Sequence, residues 1–368
     1  DAFAAYGVTA MLSYFFGGPL ADRFSARKLI ATSLFATGLG GFYMASIPDL
    51  TGTTLLFGYW GGTSILFLWA AMIRATREWG GVAAQGRAFG LLDGGRGLAA
   101  AAMASVAVVL FGLFLPGETT EITATDRLAA LRAVIYFYTA MTISAGALVL
   151  LVIPESKHNH LSSPRNPLPA LRAVVGTACV WAQALIVVCS YCVYKGLDNY
   201  SLYAVEVMGM SELQAAQFTA TAMYLRLFGA IGAGLLADRF TARRTLAGLF
   251  MVLTGSYVAL AMSSPAAGLV GVIYANLLVT FAATYGLRGI YFALLEEMAI
   301  PQGMTGTAVG VVSFLGYTPD IFVSVVGGWL IGRWPDQLTG YQVIFWLLAG
   351  ISAVGVLAAF AVRRITVA

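Results

Sequence analysis

Two arginines stand deep inside long apolar stretches of the sequence. Arg226 occurs in ATAMYLRLFGAIGAGLLADRF, 12 residues before Asp238, and Arg288 occurs in TYGLRGIYFALLEEM, 8 residues before Glu296. In helices that cross a membrane, these separations place the two guanidinium groups about 18 Å and about 12 Å from the nearest charged end. A charge at such depth is costly, and we therefore expect both arginines to have a function.

Tyrosines flank Arg288 at helical spacing. Tyr285 and Tyr291 lie three residues to either side of it and share roughly its face of a helix. A guanidinium group between phenols suits a planar or tetrahedral oxyanion, which it binds through paired hydrogen bonds. The pattern predicts a binding site for a small anion. The alternative is that each arginine pairs with a buried acid and only holds two helices together.

Two acids also lie inside apolar stretches. Asp93 in FGLLDGGRG precedes Arg96 by three residues, so the two can pair within one helical turn. Asp320 belongs with Tyr317 to a polar stripe along one face of its span, and we expect it either to pair with an arginine or to exchange a proton. The predicted binding residues are Arg226, Arg288, Tyr285, Tyr291, Asp93, Arg96, Tyr317 and Asp320.

A second polar group lies near the end of another apolar stretch, in YCVYKGLDNYSLY. It consists of Tyr191, Tyr194, Lys195 and Asp198 at helical spacing. These residues form either an outer gate or vestibule, or an interfacial aromatic belt with a lysine that reaches to the water. We favour the belt slightly.

The composition indicates that the apolar stretches around these charges lie in a lipid bilayer. The chain has 368 residues, of which 59% are hydrophobic and 10% are charged, and its mean hydropathy is +0.82. Soluble domains carry about 25% charged residues, so we predict an all-α integral membrane protein with the lipid bilayer as its solvent. A net charge of +4 without long basic runs does not indicate a nucleic-acid partner.

Eleven stretches are long and apolar enough to cross a bilayer, which takes about 20 residues per helix. The polar segment 154–170, which includes PESKHNHLSSPRNP, is predicted to be a linker between an N-terminal helical bundle, 1–153, and a C-terminal helical bundle, 171–368. The predicted spans are about 2–20, 28–47, 52–75, 88–114, 129–153, 171–195, 214–237, 243–263, 267–294, 304–331 and 341–362.

Metal, redox and nucleotide chemistry have little support in the sequence. Cys189 and Cys192 have C-x-x-C spacing, but no second cysteine pair accompanies them, and we interpret them as small side chains within a span. His158 and His160 supply too few ligands for a zinc site, which takes about four. The sequence contains neither a phosphate-binding loop nor a nucleophile elbow. We predict no enzymatic activity, no metal and no cofactor.

A short charged phrase occurs twice, as GGPLADRFSARK over residues 17–28, the first phrase, and as GAGLLADRFTARR over residues 232–244, the second phrase. Downstream of each phrase the two halves are nearly equal in length. Upstream, the second half has room for two spans and the first half for one. The simplest account is an internal duplication in which one further span precedes residue 1, which would make twelve spans arranged as six plus six.

The shared pattern G-x-L-A-D-R-F-x-x-R-[KR] resembles the signature loop of the major facilitator superfamily. The resemblance implies two six-helix bundles related by a pseudo-two-fold axis, with Ser25 and Thr241 standing where the family usually has glycine. The phrases would close the cytoplasmic side in one conformation, because the aspartates face helix N-termini and the arginines bridge to carboxylates or carbonyls. The implied gating residues are Asp22, Arg23, Arg27, Asp238, Arg239 and Arg243.

The distribution of basic residues orients the chain. With both phrases in the cytoplasm, 14 of the 21 basic residues lie on that side and 4 on the outer side, in agreement with the positive-inside rule. We expect the protein in a bacterial inner membrane.

The resemblance and the deep arginines together predict a secondary transporter of a small, anionic organic solute. It would work by alternating access as a monomer, with proton coupling or by exchange. The segments RGIYFALLEE and GYTPDIF weakly resemble sugar-phosphate and related organic-anion permeases. The alternatives are a nitrate or nitrite porter, a drug exporter of the same superfamily and, from a different class, a non-transporting receptor or a membrane enzyme.

Overall fold

The computed structural model describes residues 2–114, 123–155, 168–264 and 269–362, which form helices joined by turns and short connections. Short 3-10 helices follow α8 (Leu197–Asn199), follow α13 (Tyr291–Ala293) and precede α15 (Gln302–Met304). The α-helices are α1 (Ala2–Arg23), α2 (Ala26–Ala45), α3 (Leu50–Leu66), α4 (Trp69–Gly80), α5 (Gln85–Leu113), α6 (Ala124–Val152), α7 (Leu168–Val175), α8 (Ala178–Gly196), α9 (Tyr200–Glu206), α10 (Glu212–Met223), α11 (Leu225–Phe240), α12 (Ala242–Met262), α13 (Val270–Ile290), α14 (Leu294–Glu297), α15 (Thr305–Gly316), α16 (Pro319–Gly332) and α17 (Gln337–Ala361).

Nine helical segments in the described ranges are long and apolar enough to cross a membrane. The other two predicted spans coincide with α1 and α2, which have 22 and 20 residues. All eleven predicted spans therefore fall on helices, and the all-α membrane class is confirmed. In the predicted linker, residues 156–167, with His158 and His160, lie outside the described residues.

One predicted span boundary is wrong. The span expected over 171–195 begins at Ala178, because the extended backbone of Thr177 separates α8 from the short helix α7. The indole nitrogen of Trp181 donates to the carbonyl oxygen of Val175 over 2.7 Å and so satisfies the free end of α7.

Several helices begin where the sequence supplies a cap. Asp49 accepts the backbone N–H of Gly52 over 2.8 Å at the start of α3. Thr123 caps α6 and Ser211 caps α10, each in a reciprocal pair with the side chain three residues later. These bonds satisfy backbone donors that an α-helix leaves free in its first turn.

Contacts between helices divide the chain into two compact units. The bundle boundaries predicted at residues 153 and 171 stay a prediction. Unit 1 comprises Asp1–Ala75, Ala99–Val174 and Pro301–Val311, and unit 2 comprises Thr76–Leu98, Val175–Ile300 and Val312–Ala368.

In unit 1, α1 packs on α3, and α2 packs on α6 and α3. Glycines permit the close approach: a Cβ on Gly17 would lie 2.6 Å from the backbone oxygen of Leu66, and a Cβ on Gly38 would lie 2.6 Å from the side chain of Ile143. Small residues of this kind are how helices approach each other in lipid, where apolar burial between helices supplies little driving force.

In unit 2, α12 packs on α17, α11 packs on α13, and α8 packs on α16 and α17. Buried aromatic rings fill this packing. Tyr203 lies edge-on to Phe345 with ring centroids 5.3 Å apart, and Tyr257 stacks on the same phenylalanine at 6.2 Å. The result is a well-packed support for the polar residues near the ends of α8, α13 and α15.

Four spans are interrupted at residues of unit 2, each within three residues of a charged side chain. The α10–α11 break precedes Arg226, the break after α13 follows Arg288, the α15–α16 break precedes Asp320, and the break after α8 follows Lys195. Interrupted helices are tolerated at membrane depth only where the freed backbone groups find partners or line a cavity. The breaks therefore mark this part of unit 2 as the place to look for a binding site.

Candidate functional site

Arg288, close to the end of α13, is at the centre of the predicted site. Its guanidinium carbon lies 3.7 Å from the ring centroid of Tyr194 and 5.2 Å from that of Tyr191, both on α8. Its Nε and Nη1 atoms are buried and have no hydrogen-bond partner. The ion pairs found among the described residues do not include it. Arg288 is thus a half-buried cation, with two buried guanidinium nitrogens, held against aromatic faces.

Arg226 is paired with an acid of another helix. Its Nε lies 3.1 Å from Oδ2 and its Nη2 2.8 Å from Oδ1 of Asp93, which is on α5 and only 6% exposed. The guanidinium carbon also lies 6.0 Å from the ring centroid of Tyr285. Asp93 was expected to pair either with Arg96 or with one of the deep arginines. Its bidentate pair with Arg226 joins α5 to α11, and Arg96 is exposed one turn further along α5.

The predicted tyrosines connect the helix breaks. The hydroxyl groups of Tyr291 and Tyr317 lie 3.0 Å apart, which ties the end of α13 to the end of α15. The ring of Tyr317 lies 4.9 Å from that of Tyr191. Gln183 on α8 donates through Nε2 to the carbonyl oxygen of Tyr291 over 3.0 Å and so satisfies the backbone where α13 breaks. Sequence reasoning missed Gln183, although it is the lone amide in ACVWAQALIVVC.

Asp320 was expected either to pair with an arginine or to exchange a proton, and its cationic neighbour in the structure is a lysine. Its Oδ2 accepts the hydroxyl of Tyr191 over 2.9 Å, and its Oδ1 lies 3.8 Å from Nζ of Lys195, which contacts Asp198 at 2.6 Å. The physical reason is that α16 packs on α8, so the two ends of these helices meet. Tyr191 and Tyr194, which we slightly favoured as an aromatic belt, lie on Arg288 and belong to the site.

The first phrase holds the start of α15. Asp22 is 6% exposed, and its carboxylate accepts the backbone N–H groups of Gly306 and Thr307 over 2.6 and 2.7 Å and the Thr307 hydroxyl over 2.6 Å. Nη1 of Arg74 donates to the carbonyl oxygens of Ala21 and Asp22, at the end of α1. An anion at a helix N-terminus is stabilised by both the free donors and the helix dipole.

The second phrase holds the start of α5 in the same manner. Asp238 accepts the backbone N–H groups of Gly86 and Arg87 over 2.7 and 3.2 Å, and Nε of Arg87 lies 2.8 Å from its Oδ2. The aspartates of both phrases therefore face helix N-termini.

The later arginine of each phrase caps the last helix of its own half. Arg27 donates to the carbonyl oxygen of Leu150 near the end of α6, and Arg243 donates to that of Val362 after α17, the latter over 3.1 Å. Arg23 and Arg239 each lie against the phenylalanine that follows them, at 5.6 and 5.5 Å from the ring centroid. A role for these four residues in gating stays a prediction.

Two glutamates lie next to the second phrase, where the sequence suggested that they could meet its arginines. Glu297 accepts the backbone N–H groups of Ala242 and Arg243 at the start of α12, the latter over 3.1 Å. Glu296 pairs at 2.9 Å with Arg77, whose Nη2 also donates to the carbonyl oxygen of Ile300. Both glutamates, with Asp238, line a cleft of about 320 Å³ beside the second phrase.

Helices as long and apolar as these are typical of an integral membrane protein. The sequence profile described as Major Facilitator Superfamily matches residues 1–322. The chain therefore belongs to the Major Facilitator Superfamily and is a membrane transporter of that family.

Two curated relatives are similar along nearly the whole chain. The inner membrane protein YqcE of Escherichia coli (strain K12) is 28% identical over 372 residues, which cover 97% of this chain and 83% of YqcE. The inner membrane protein YihN of the same strain is 24% identical over 382 residues, which cover 100% of this chain and 86% of YihN.

Solved transporters share the fold. The Escherichia coli fucose:proton symporter FucP aligns with a TM-score of 0.77 and 17% identity, over 99% of this chain and 91% of FucP. The human organic anion transporter MFSD10 aligns with a TM-score of 0.71 and 14% identity, over 97% of this chain and 82% of MFSD10. The proton:xylose symporter XylE aligns with a TM-score of 0.69 and 15% identity, over 97% and 83%. The names of these neighbours give different solutes, and identities of 14–17% show a shared fold alone.

Proposed function

We propose that this protein is a secondary active transporter that moves a small organic anion across a bacterial inner membrane by alternating access. The unit of transport is one chain, with the two phrases on the cytoplasmic side. The observation that carries the proposal is the Arg288 guanidinium group, whose buried Nε and Nη1 atoms lack acceptors. A buried, unsatisfied charge costs several kcal/mol, and an anionic solute is the partner that removes this cost.

The neighbours of Arg288 support the same choice. Tyr191 and Tyr194 hold the guanidinium plane by their faces, which leaves the N–H groups at its edge for an oxyanion. Tyr291 and Tyr317 add hydroxyl groups that donate to, or accept from, polar groups on the solute. A planar guanidinium group held between tyrosine rings favours a small solute with a carboxylate or similar group.

The contacts of the two phrases are those that we propose to change between the two conformations of the transporter. Asp22 and Asp238 each hold the N-terminus of a helix through hydrogen bonds from its backbone N–H groups. We propose that these contacts exist in the state whose cytoplasmic side is closed and are released in the inward-open state. In this way the two conformations differ in discrete contacts, as a two-state mechanism requires.

The test is anion binding measured by calorimetry on the purified protein, with Arg288→Lys as the decisive variant. Lysine keeps the charge and removes the planar fork, so binding weakens by about 1–3 kcal/mol while the fold is kept. Arg226→Lys is the matched variant. Its loss of anion binding is smaller, because Asp93 already binds that guanidinium group. Wild-type affinity in both variants would make the arginines structural and would remove the reason for an anionic solute.

A neutral sugar carried with a proton is the second candidate. It is favoured by the five tyrosines around the site and by Asp320, whose carboxylate contacts both Tyr191 and Lys195. Uptake into proteoliposomes separates the two candidates. If sugar acids reduce the uptake of a labelled solute and the matching neutral sugars do not, the anion transporter is supported. If the neutral sugars reduce the uptake and the sugar acids do not, the sugar symporter is supported.

A further inference from the structure

We propose that Asp93 sets the charge of the solute: by occupying Arg226, it restricts the site to anions with a single negative charge. This inference rests on the proposed function, because it concerns the anion that Arg288 binds. It assigns to Asp93 a role in specificity, and to the pair of deep arginines two unequal roles.

The first step is the geometry of the Asp93–Arg226 pair. The two oxygens of Asp93 bind Nε and Nη2 of Arg226 at 3.1 and 2.8 Å, which is the bidentate arrangement in which arginine recognises a carboxylate. The edge that would bind a carboxylate of a solute is therefore filled by a carboxylate of the protein. Asp93 acts as a built-in substitute for a second anionic group.

The second step is that the pair is fixed in place. Asp93 is buried, and the Arg226 side chain is 20% exposed. A Cβ on Gly97 would lie 2.6 Å from Cδ of Arg226, so the arginine stem runs directly along the glycine face of α5. Because the stem is confined and the carboxylate is buried, neither group turns away to meet a solute without losing the other.

The third step is the balance of charge around the two arginines. Arg226 is neutralised by Asp93, whereas Lys195 faces two carboxylates, those of Asp198 and Asp320, so this second group carries one excess negative charge. Arg288 keeps its charge, separated from Arg226 by the rings of Tyr194 and Tyr285, whose centroids are 6.4 Å apart. Arg96, one turn from Asp93 on α5, is exposed. A monoanion neutralises Arg288, whereas a second charge placed beside Arg226 meets a neutral pair and stays uncompensated in a medium of low dielectric constant.

The test compares matched carboxylates that differ by one charge: gluconate with glucarate and butyrate with succinate. Each is titrated into the full-length protein by calorimetry. We expect the wild type to prefer the monocarboxylate of each pair by about tenfold or more. In Asp93→Asn, Arg226 is released, and the preference shifts toward the dicarboxylate by about tenfold.

A double variant controls for loss of structure. Asp93→Asn combined with Arg226→Gln removes both charges and leaves two amides able to bond with each other, and thermal unfolding checks that it folds. It should keep the preference for monocarboxylates, because the second guanidinium group is gone. Acceptance of dicarboxylates by this variant would show that loss of the acid, and not release of the arginine, changes the specificity.

The remaining outcomes separate this inference from the proposed function. If the wild type binds both members of each pair equally, or if Asp93→Asn leaves the ratio unchanged, Asp93 does not select charge, although the anion site stands. If none of the four carboxylates binds, or if Arg288→Lys binds them as well as the wild type does, the anion site itself is wrong, and the inference falls with it.

Discussion

Each of the two phrases positions the N-terminus of another helix, and the two do so with different contacts. In each, a glycine of the phrase meets a glycine of another helix: Gly18 meets Gly306, and Gly234 meets Gly86, so closely that a Cβ on any of the four would overlap a backbone oxygen. In each, the aspartate four residues later binds the N-terminus of the helix that carries the second glycine. The glycine contact thus sets the position of the helix, and the aspartate fixes its end.

The surroundings of the two aspartates differ in exposure. Asp22 accepts hydrogen bonds from the start of α15 and is almost fully buried, as is the nearby Arg74. The Asp238 side chain is 13% exposed, and one of its partners is the Arg87 side chain, which is 56% exposed. The first contact is therefore buried and little screened by salt, whereas part of the second is a screened surface ion pair.

The backbone also differs at equivalent positions. Ser25 has φ −59° and ψ 125°, an ordinary conformation, and its hydroxyl makes no capping bond. Thr241 has φ 146° and ψ 149°, in a region that glycine alone adopts readily. Thr241 Oγ1 and Glu297 together accept the first three N–H groups of α12. The second phrase is strained and strongly capped, and the first is relaxed and uncapped, so similar sequences do not imply equal energetics.

The largest effect is expected from the glycine contacts. Gly18→Ala and Gly234→Ala should each destabilise the protein by about 1–3 kcal/mol, because the added methyl group forces two helix backbones apart. Gly7→Ala and Gly232→Ala are the controls: they lie in the same helices, have open space at the Cβ position, and should be neutral or slightly stabilising. Thermal unfolding in detergent measures the difference. If all four variants behave alike, the close contacts do not position the helices.

The aspartates should show the next effect and should be unequal. Asp22→Asn places an amide against buried donors and should cost about 1–3 kcal/mol, independently of salt. Asp238→Asn should cost about 1 kcal/mol or less, and its cost should shrink at about 1 M salt as the contribution of Arg87 is screened. Unfolding midpoints at low and high salt test this contrast. An equal dependence on salt in both variants would contradict it.

Asp22→Asn also tests the proposed role in gating. The variant should move the protein toward the inward-open state, because it weakens the hold on α15. A cysteine introduced into the cytoplasmic part of the transport pathway should then react faster with a reagent supplied from the cytoplasm. An unchanged rate would leave Asp22 with a purely structural role.

Hydropathy sufficed to predict helices at all eleven positions, nine of which in the described residues are long and apolar enough to cross a membrane. The reason is that lipid requires helices whose backbone groups are satisfied internally. The duplicated phrase predicted correctly that aspartates would meet helix N-termini. The break at Pro319 could also be predicted, since proline lacks the N–H that a continuous helix needs.

The remaining breaks and pairings depend on which helices become neighbours. The α13 helix breaks beside Tyr291, where Gln183 of α8 satisfies the freed carbonyl oxygen. Asp93 pairs with Arg226 because α5 and α11 come together, although Arg96 is nearer in sequence. A single sequence contains the residues of such pairs but not the neighbour relation that selects among them.

The smallest effect is expected at Ser25 and Thr241. Replacement of these two residues by glycine should change the stability of the protein in opposite directions. Thr241→Gly should stabilise the protein by about 1 kcal/mol, because relief of a strained backbone of roughly 1–3 kcal/mol exceeds the loss of the threonine cap and the added entropy of the unfolded chain. Ser25→Gly relieves no strain and should destabilise by about 0.5 kcal/mol. Thr241→Ala is the matched control, since it removes the cap and keeps the strain, and it should destabilise. Unfolding midpoints of the three variants decide the matter: a shift of both glycine variants in the same direction would mean that the backbone of Thr241 stores no strain that glycine can release.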